Sequence, residues 1–189
     1  MQQELFPTIY QPQELIQMKS GLFAPQMTMS SGITMRALSW KQPYCSLMLP
    51  PYNKVETRIW STKYRGWVLM CASLQPYSHD QLLSIAGEYQ ADRIYRAFGE
   101  TEKLDQARGN AIAIGRLIDC RPMRPIDEDF CYVEFNPQLY CHIYDHVHPI
   151  FPIPWKGKQG WSTVSQDILS QITILPPAPW KPSFTHYPR

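Results

Sequence analysis

The stretch Lys54–Ser73, KVETRIWSTKYRGWVLMCAS, decides the fold. Read as a strand over Val55–Trp60, it places Glu56, Arg58 and Trp60 on one face and Val55, Thr57 and Ile59 on the other, because side chains alternate along a strand. A basic and aromatic loop, Ser61–Gly66, follows, and then Trp67–Ser73 forms a continuous apolar run of the kind that makes a buried strand. Charge and aromatic surface therefore adjoin the core. Two readings fit the first strand: a cross-strand ion pair covered by an aromatic ring, or a binding surface.

Outward from this stretch, Ile33–Trp40 is a strand candidate, and Gln42-Pro43 opens a short helix to about Leu49, with Pro43 suited to a first helical position. Lys41, Gln42 and Tyr44 lie at this strand-to-helix corner, where the amides of a helix start can receive an anion. An ordinary capped corner explains the same residues. Ser78–Phe98 carries Leu82, Ile85, Ala86, Tyr89 and Tyr95 near helical spacing and is the longest predicted helix. Ala111–Cys120 reads as a strand with Ala111, Ala113, Gly115, Leu117 and Asp119 on one face; such small residues admit a close backbone or ligand, or simply a tight corner. Pro122–Asp129 reads as a proline-rich acidic loop and Cys141–Ile150 as a strand. PIPWKGKQGW (152–161) comes next, and Ser165 can cap a brief helix.

The 189 residues are 44% hydrophobic, enough for one substantial core with extensions. The division expected is an N-terminal extension at 1–33 with a short helix near Gln13–Lys19, a domain at 34–175, and a proline-rich, polyproline-like tail at 176–189. Eighteen prolines and 13% aromatic residues indicate short strands and many loops. No apolar run reaches the roughly 18 residues of a membrane span, so no membrane partner is expected. The first residues, MQQELFPTIYQPQEL, lack the basic start and apolar core of a secretory signal, and a cytoplasmic location is expected. The five cysteines read as reduced and mostly structural. Eighteen basic residues against 16 acidic ones leave a net charge of only +2, so any affinity for nucleic acid must come from a local patch.

Four segments occur in a telling order: RALSWKQPYCSLML (36–49), VETRIWSTKYRG (55–66), AIAIGRLIDC (111–120) and PIPWKGKQGW. The series, spanning about residues 34–165, resembles the ASCH family, small PUA-like domains related to the one in an activating signal cointegrator. The resemblance implies an α+β fold, a small mixed β-barrel with flanking helices and extended termini. It also implies a surface for nucleic acid, usually RNA, in a cleft beside the barrel, and it favours a functional role for the corner at Lys41.

The candidate nucleic-acid-binding residues are Lys41, Gln42, Tyr44, Glu56, Arg58, Trp60, Lys63, Tyr64 and Arg65, joined by Lys156, Lys158 and Trp161. Basic members would hold phosphates and aromatic ones would stack an unpaired base. If the resemblance holds, the corner at Lys41, the face of Glu56 and Arg58, and the loop Trp155–Trp161 must converge, with Glu56 paired to a base. Some relatives are small amidohydrolases acting on modified nucleosides, through a lysine in a pattern G-x-K-x-x-E-x-R. Here Glu56 and Arg58 match, while Pro51 and Asn53 stand at the glycine and lysine positions. The catalytic candidates for such a hydrolase, or for a ribonuclease, are Lys41, Lys54 and Glu56 with Arg58. His142, His146 and His148 share one face of a regular strand and are the metal candidates, although their spacing fits no standard zinc signature. No phosphate-binding glycine-rich loop is present and no cofactor is expected. The two termini, with their aromatic and proline residues, are the segments through which a homodimer could form.

Overall fold

The computed structural model describes residues 34–50, 54–98 and 107–175. The expectations for the two termini, for the positions of Pro51 and Asn53, and for docking or dimerisation through the ends of the chain lie outside these residues. Elements follow in the order β1 (Arg36–Trp40), α1 (Tyr44–Leu47), β2 (Val55–Arg58), β3 (Gly66–Ala72), α2 (His79–Phe98) and β4 (Asn110–Pro122). A 3-10 turn (Pro125–Asp127), α3 (Glu128–Cys131), β5 (Tyr140–Pro154), β6 (Ser162–Thr163) and α4 (Gln166–Leu169) complete them. Among the described residues no helix is long and apolar enough to cross a membrane.

The fold is mixed α+β around one six-stranded sheet of order β2-β5-β4-β3-β1-β6. β1 pairs with β3 in parallel, and the other neighbours are antiparallel. β2 and β6 are the edges, and in a flat sheet five gaps of about 4.8 Å would hold them roughly 24 Å apart. Yet Trp60, two residues beyond β2, has its ring 5.8 Å from that of Trp161, the residue before β6. Arg58 of β2 also donates from Nη2 to the carbonyl of Ser39 in β1 at 3.0 Å. The sheet is therefore strongly curled and its ends meet through side chains. The expected barrel is not closed by a backbone ladder, because β2 has four residues and β6 two, too few to form one across the seam.

Curling is supported by three register shifts between β4 and β5 and one between β3 and β4; each such irregularity bends a strand and increases its twist. The concave side buries Leu38, Trp40, Val68, Met70, Ala113, Leu117 and Tyr144. A Cβ at Gly115 would come within 2.5 Å of Met70 Cε and 3.1 Å of Val147, so this small residue serves close packing and leaves no space for a ligand. On the opposite side Met35, Leu69, Ile114 and Ile150 pack under Leu169 of α4. A third cluster gathers Tyr44 and Leu47 of α1, Leu82, Ala86 and Ile94 of α2, and Cys131 of α3.

Several segments differ from the sequence reading. The long helix is bent at Gly87, whose φ of 71° and ψ of 164° are open to glycine. The acidic loop contains the 3-10 turn and α3, because Pro125 and the carboxylate of Asp127 organise a turn that continues into a helix. β5 runs on through Pro152 to Pro154, since β2 covers only Tyr140–Ile143 and the later half has a ladder partner in β4 alone.

Asp127 fastens the 3-10 turn to β4. Its carboxylate accepts both terminal nitrogens of Arg121, at 2.6 and 2.7 Å, and the backbone N–H of Arg124 at 2.8 Å. It is 2% exposed but lies just beneath the surface, since Arg121 and Arg124 reach water. Replacing it with Asn is expected to cost about 2 kcal/mol in urea unfolding near neutral pH, the scale for breaking a well-made, partly buried pair. The bond to Arg121 holds the carboxyl well below its ordinary value of 3.8, so its contribution is complete above about pH 4 and fades as pH falls. The stabilities of wild type and Asp127→Asn should converge in acid.

Candidate functional site

Two-residue spacing on β2 puts Glu56 and Arg58 on the same side of the strand, and pairing with β5 sets His142 directly across from Glu56. Glu56 is 8% exposed, with Oε1 3.2 Å from Arg58 Nε. The contact is ionic rather than a hydrogen bond, since the Arg58 Nε–H is not aligned on the carboxylate. The guanidinium is centred 5.4 Å from the ring of Trp40 and 6.0 Å from that of Trp60. Burial pushes the Glu56 carboxyl up to about 7, against the pull of Arg58 and of the Trp40 indole N–H.

His142 is fully buried and edge-on to Trp60, ring centroids 4.8 Å apart. Its Nε2 lies 3.1 Å from the Trp60 carbonyl, which can only accept, so Nε2 carries the proton. Burial, aided by the cations Arg58 and Arg65, pulls the imidazole down to about 4. At neutral pH the ring is uncharged and Nδ1 presents a bare lone pair. Tyr144, two residues on, is 1% exposed and lies 6.2 Å from Trp40, ring to ring. Burial raises its phenol first, and the negative charge of Glu56 raises it further.

Among the described residues, four buried side-chain atoms lack a hydrogen-bond partner: Trp40 Nε1, Arg58 Nε, His142 Nδ1 and Tyr144 Oη. All four belong to this cluster. Trp40 Nε1 and Arg58 Nε face the Glu56 carboxylate without an aligned hydrogen bond, whereas His142 Nδ1 and Tyr144 Oη have no such counterpart, and each buried polar atom left alone costs about 1–3 kcal/mol.

Three aromatic rings from two separate segments border the cluster. Trp161 lies 5.8 Å from Trp60 and 5.2 Å from Tyr64. Tyr64 is fixed by a hydroxyl bond to the Trp67 carbonyl at 2.8 Å and by the Arg36 guanidinium 5.5 Å from its ring centre. That bond requires the chain to double back through Gly66 at φ 140°, where a Cβ would stand 3.1 Å from the hydroxyl. The loop that carries Trp161 is anchored by Trp155 N–H to Gly109 O and by Val164 N–H to Met35 O. A Cβ on its Gly157 would lie 3.5 Å from Ser39 Oγ, beside the carbonyl that Arg58 holds. The distant loop thus reaches the seam where Arg58 sits, and the carboxylate there is paired to a base.

The remaining predicted residues take different positions. Lys63, Lys156 and Lys158 are exposed on the two loops that carry Tyr64 and Trp161. Arg65 holds the carbonyls of Thr62 and Tyr64 and pairs with Asp119. Lys41 lies 4.9 Å from the centre of the Tyr77 ring. Gln42 is 1% exposed, and its amide closes the first turn of α1 through Ser46 N–H and Oγ. Tyr44 is buried, its hydroxyl donating to the Tyr132 carbonyl. Lys54 is exposed and acts on Asp145 rather than on Glu56.

The histidine face is broken. His146 adopts φ 46° at a register shift, and the extra residue turns the strand so that His142, Tyr144 and Val147 are buried, while His146 stands 59% exposed. His148 stacks with His146 at 6.5 Å and lies 6.4 Å from Trp67, away from His142. Among the described residues no group of three or more potential ligands is placed to hold a metal ion. Burial raises the thiols of Cys131 and Cys141 to about 12 and pushes those of Cys45 and Cys71 well up, so these four are poor nucleophiles. A shallow groove of about 330 Å³ lined by Tyr77, Asp80, Gln81, Ser84 and Ile85 opens along α2 and contains none of the unpartnered atoms.

Sequence reasoning missed Trp40 and Tyr144. Trp40 looked like an ordinary strand end, and Tyr144 was read only as a neighbour of the histidines; the shared side of His142 and Tyr144 was the available signal. No protein-family model and no curated protein matches the chain.

Glu56 and His142 titrate in opposite senses. The raised Glu56 carboxyl contributes stability below its ordinary value of 4.5 that is lost as pH rises through about 7. The depressed His142 imidazole contributes stability above 6.5 that is lost as pH falls through about 4. Between about pH 4.5 and 6.5 the two slopes, each at most about 1.4 kcal/mol per pH unit, offset one another. Urea unfolding across this window should show stability rising with pH in Glu56→Gln and falling with pH in His142→Phe, with wild type between them.

Proposed function

We propose that this protein binds single-stranded nucleic acid, RNA foremost, through the seam of its curled sheet, and that it does so without catalysis. The observation that carries the reading is the gathering of Trp161 onto Trp60 and Tyr64, from two segments about a hundred residues apart, with the Arg58 guanidinium beside Trp60. An exposed edge of such a cluster can stack an unpaired base, and each stacked base is worth about 1–3 kcal/mol. Lys63, Lys156 and Lys158, exposed on the flanking loops, would carry the phosphate backbone. The pairing of Glu56 with Arg58 removes the repulsion that a lone carboxylate would exert on a phosphate. The order of segments from Arg36 to Trp161, together with the curl of the sheet, supports an ASCH-like domain of PUA-like barrel type.

Hydrolysis of a modified nucleoside is the weaker reading. A carboxyl raised to about 7 is suited to general acid–base work, but the cation held at Glu56 is Arg58, while Lys41 rests on Tyr77 and Lys54 acts on Asp145. A lysine nucleophile needs a desolvated position beside its partner.

Short RNA and DNA oligomers titrated against the full-length protein should bind with a marked salt dependence. Trp161→Ala should weaken binding about tenfold, and Lys63→Glu with Lys156→Glu should flatten the salt slope by between one and two. Absence of binding at low salt overturns the reading. Turnover of N4-acylated cytidine that is abolished in Glu56→Gln would establish the hydrolase in its place.

A further inference from the structure

We propose that the proline-rich tail of this chain continues the strand begun at residues 173–175, with residues 176–179 lying along the outer edge of β5 beside residues 145–148. The proposal is independent of the nucleic-acid reading. β4 takes one edge of β5, and two other segments share the opposite edge. β2 pairs with Tyr140–Ile143, and the Lys54 carbonyl accepts the Tyr144 N–H at 2.7 Å. Further along, Ile174 bridges Ile150 in antiparallel sense. That bridge is flanked by Phe151 N–H to Thr173 O at 3.0 Å and Leu175 N–H to Pro149 O at 2.9 Å. Among the described residues, nothing pairs with this edge at 145–148. The gap it leaves is about 14 Å at strand spacing, and the His146 side chain within it is 59% exposed.

Antiparallel pairing fixes where the chain goes next. As the β5 partner falls from Phe151 to Pro149, the added strand rises from Thr173 to Leu175, so Pro176 comes beside His148 and Pro177 beside Val147. Ile174 packs on the same cluster as Ile150 and Trp67. One step along that face, Pro176 comes opposite His148, whose ring lies 6.4 Å from that of Trp67. The tail after Leu175 is PPAPWKPSFTHYPR, and residues 176–179 cross the gap at about 3.1 Å each in the extended proline conformation. Of these residues only Ala178 has a backbone N–H. Such a segment accepts hydrogen bonds but donates few, and as a separate peptide it would bind weakly. Tethered at Leu175, it acts at an effective concentration of about a millimolar or more, which favours this chain's own tail over a free partner. The same shortage of donors leaves little for a further strand to pair with, and prolines at an edge guard a sheet against association in this way.

The test is nuclear magnetic resonance on the full-length, isotopically labelled protein. Nuclear Overhauser contacts should join Pro176 to His148 and Ala178 to Val147 or His146. The Ala178 N–H should also show the heteronuclear Overhauser value of a rigid backbone, matching Ile174, and not the low value of an undocked chain. A sample mixing labelled with unlabelled protein separates the possible occupants. The contacts should be missing from its intermolecular spectrum. If they appear only there, the edge is filled by the tail of a second copy and the proposal is overturned. If Ala178 shows no contact with residues 145–148 in either spectrum, it is overturned outright.

Discussion

The seam between the two ends of the sheet depends on Arg58. Its guanidinium reaches from β2 to the Ser39 carbonyl in β1, leans on Trp40 and Trp60, and neutralises Glu56 inside the core. β2 is held on one side only, by four residues of β5, and β6 by two residues of β1. Strands this short do not close a sheet by backbone pairing, so side chains must do it. An arginine suits the position because its planar group can donate to a carbonyl, face a carboxylate and lie on aromatic rings together.

The arrangement is costly by the ordinary rules of core construction. A carboxylate and an imidazole face one another across β2 and β5, each shifted toward its neutral form by burial, and His142 Nδ1 and Tyr144 Oη are buried without a hydrogen-bond partner. Among the described residues, other buried or bordering polar groups are well paired, as in the fork of Arg121 on Asp127 or the fork of Arg116 on Asp145. Departures from satisfied bonding concentrated in one place mark either a candidate functional site or local strain. The neighbouring core is closely filled: Gly115 is small because Met70 and Val147 crowd it.

Strand alternation in VETRIW was enough to place Glu56 and Arg58 together, and the continuous apolar run to Ala72 was enough to bury β3 between β1 and β4. The long helix, the corner at Gln42 and the strand at Ala111 were legible for similar reasons, since each is written in local periodicity or turn chemistry. Gln42 shows the boundary of such reading. Its place before a short helix was visible, but its amide is spent on Ser46 inside the protein, and residue type alone does not distinguish a capping amide from a binding one.

What the sequence determined by itself was the two-residue period that sets charges and rings on one side of a strand, and the run lengths that make an α+β domain. Only the tertiary structure decided that the sheet curls without closing, because curl arises from register shifts between β4 and β5 that no local pattern announces. One of those shifts, at His146, takes His148 away from His142 and turns an apparent histidine face into a buried neutral imidazole on one side and an exposed pair on the other. The same curl carries Trp161 onto Trp60 and Tyr64. Contacts across about a hundred residues are set by how the whole sheet bends, and a bend summed over many residues is not encoded at any one of them.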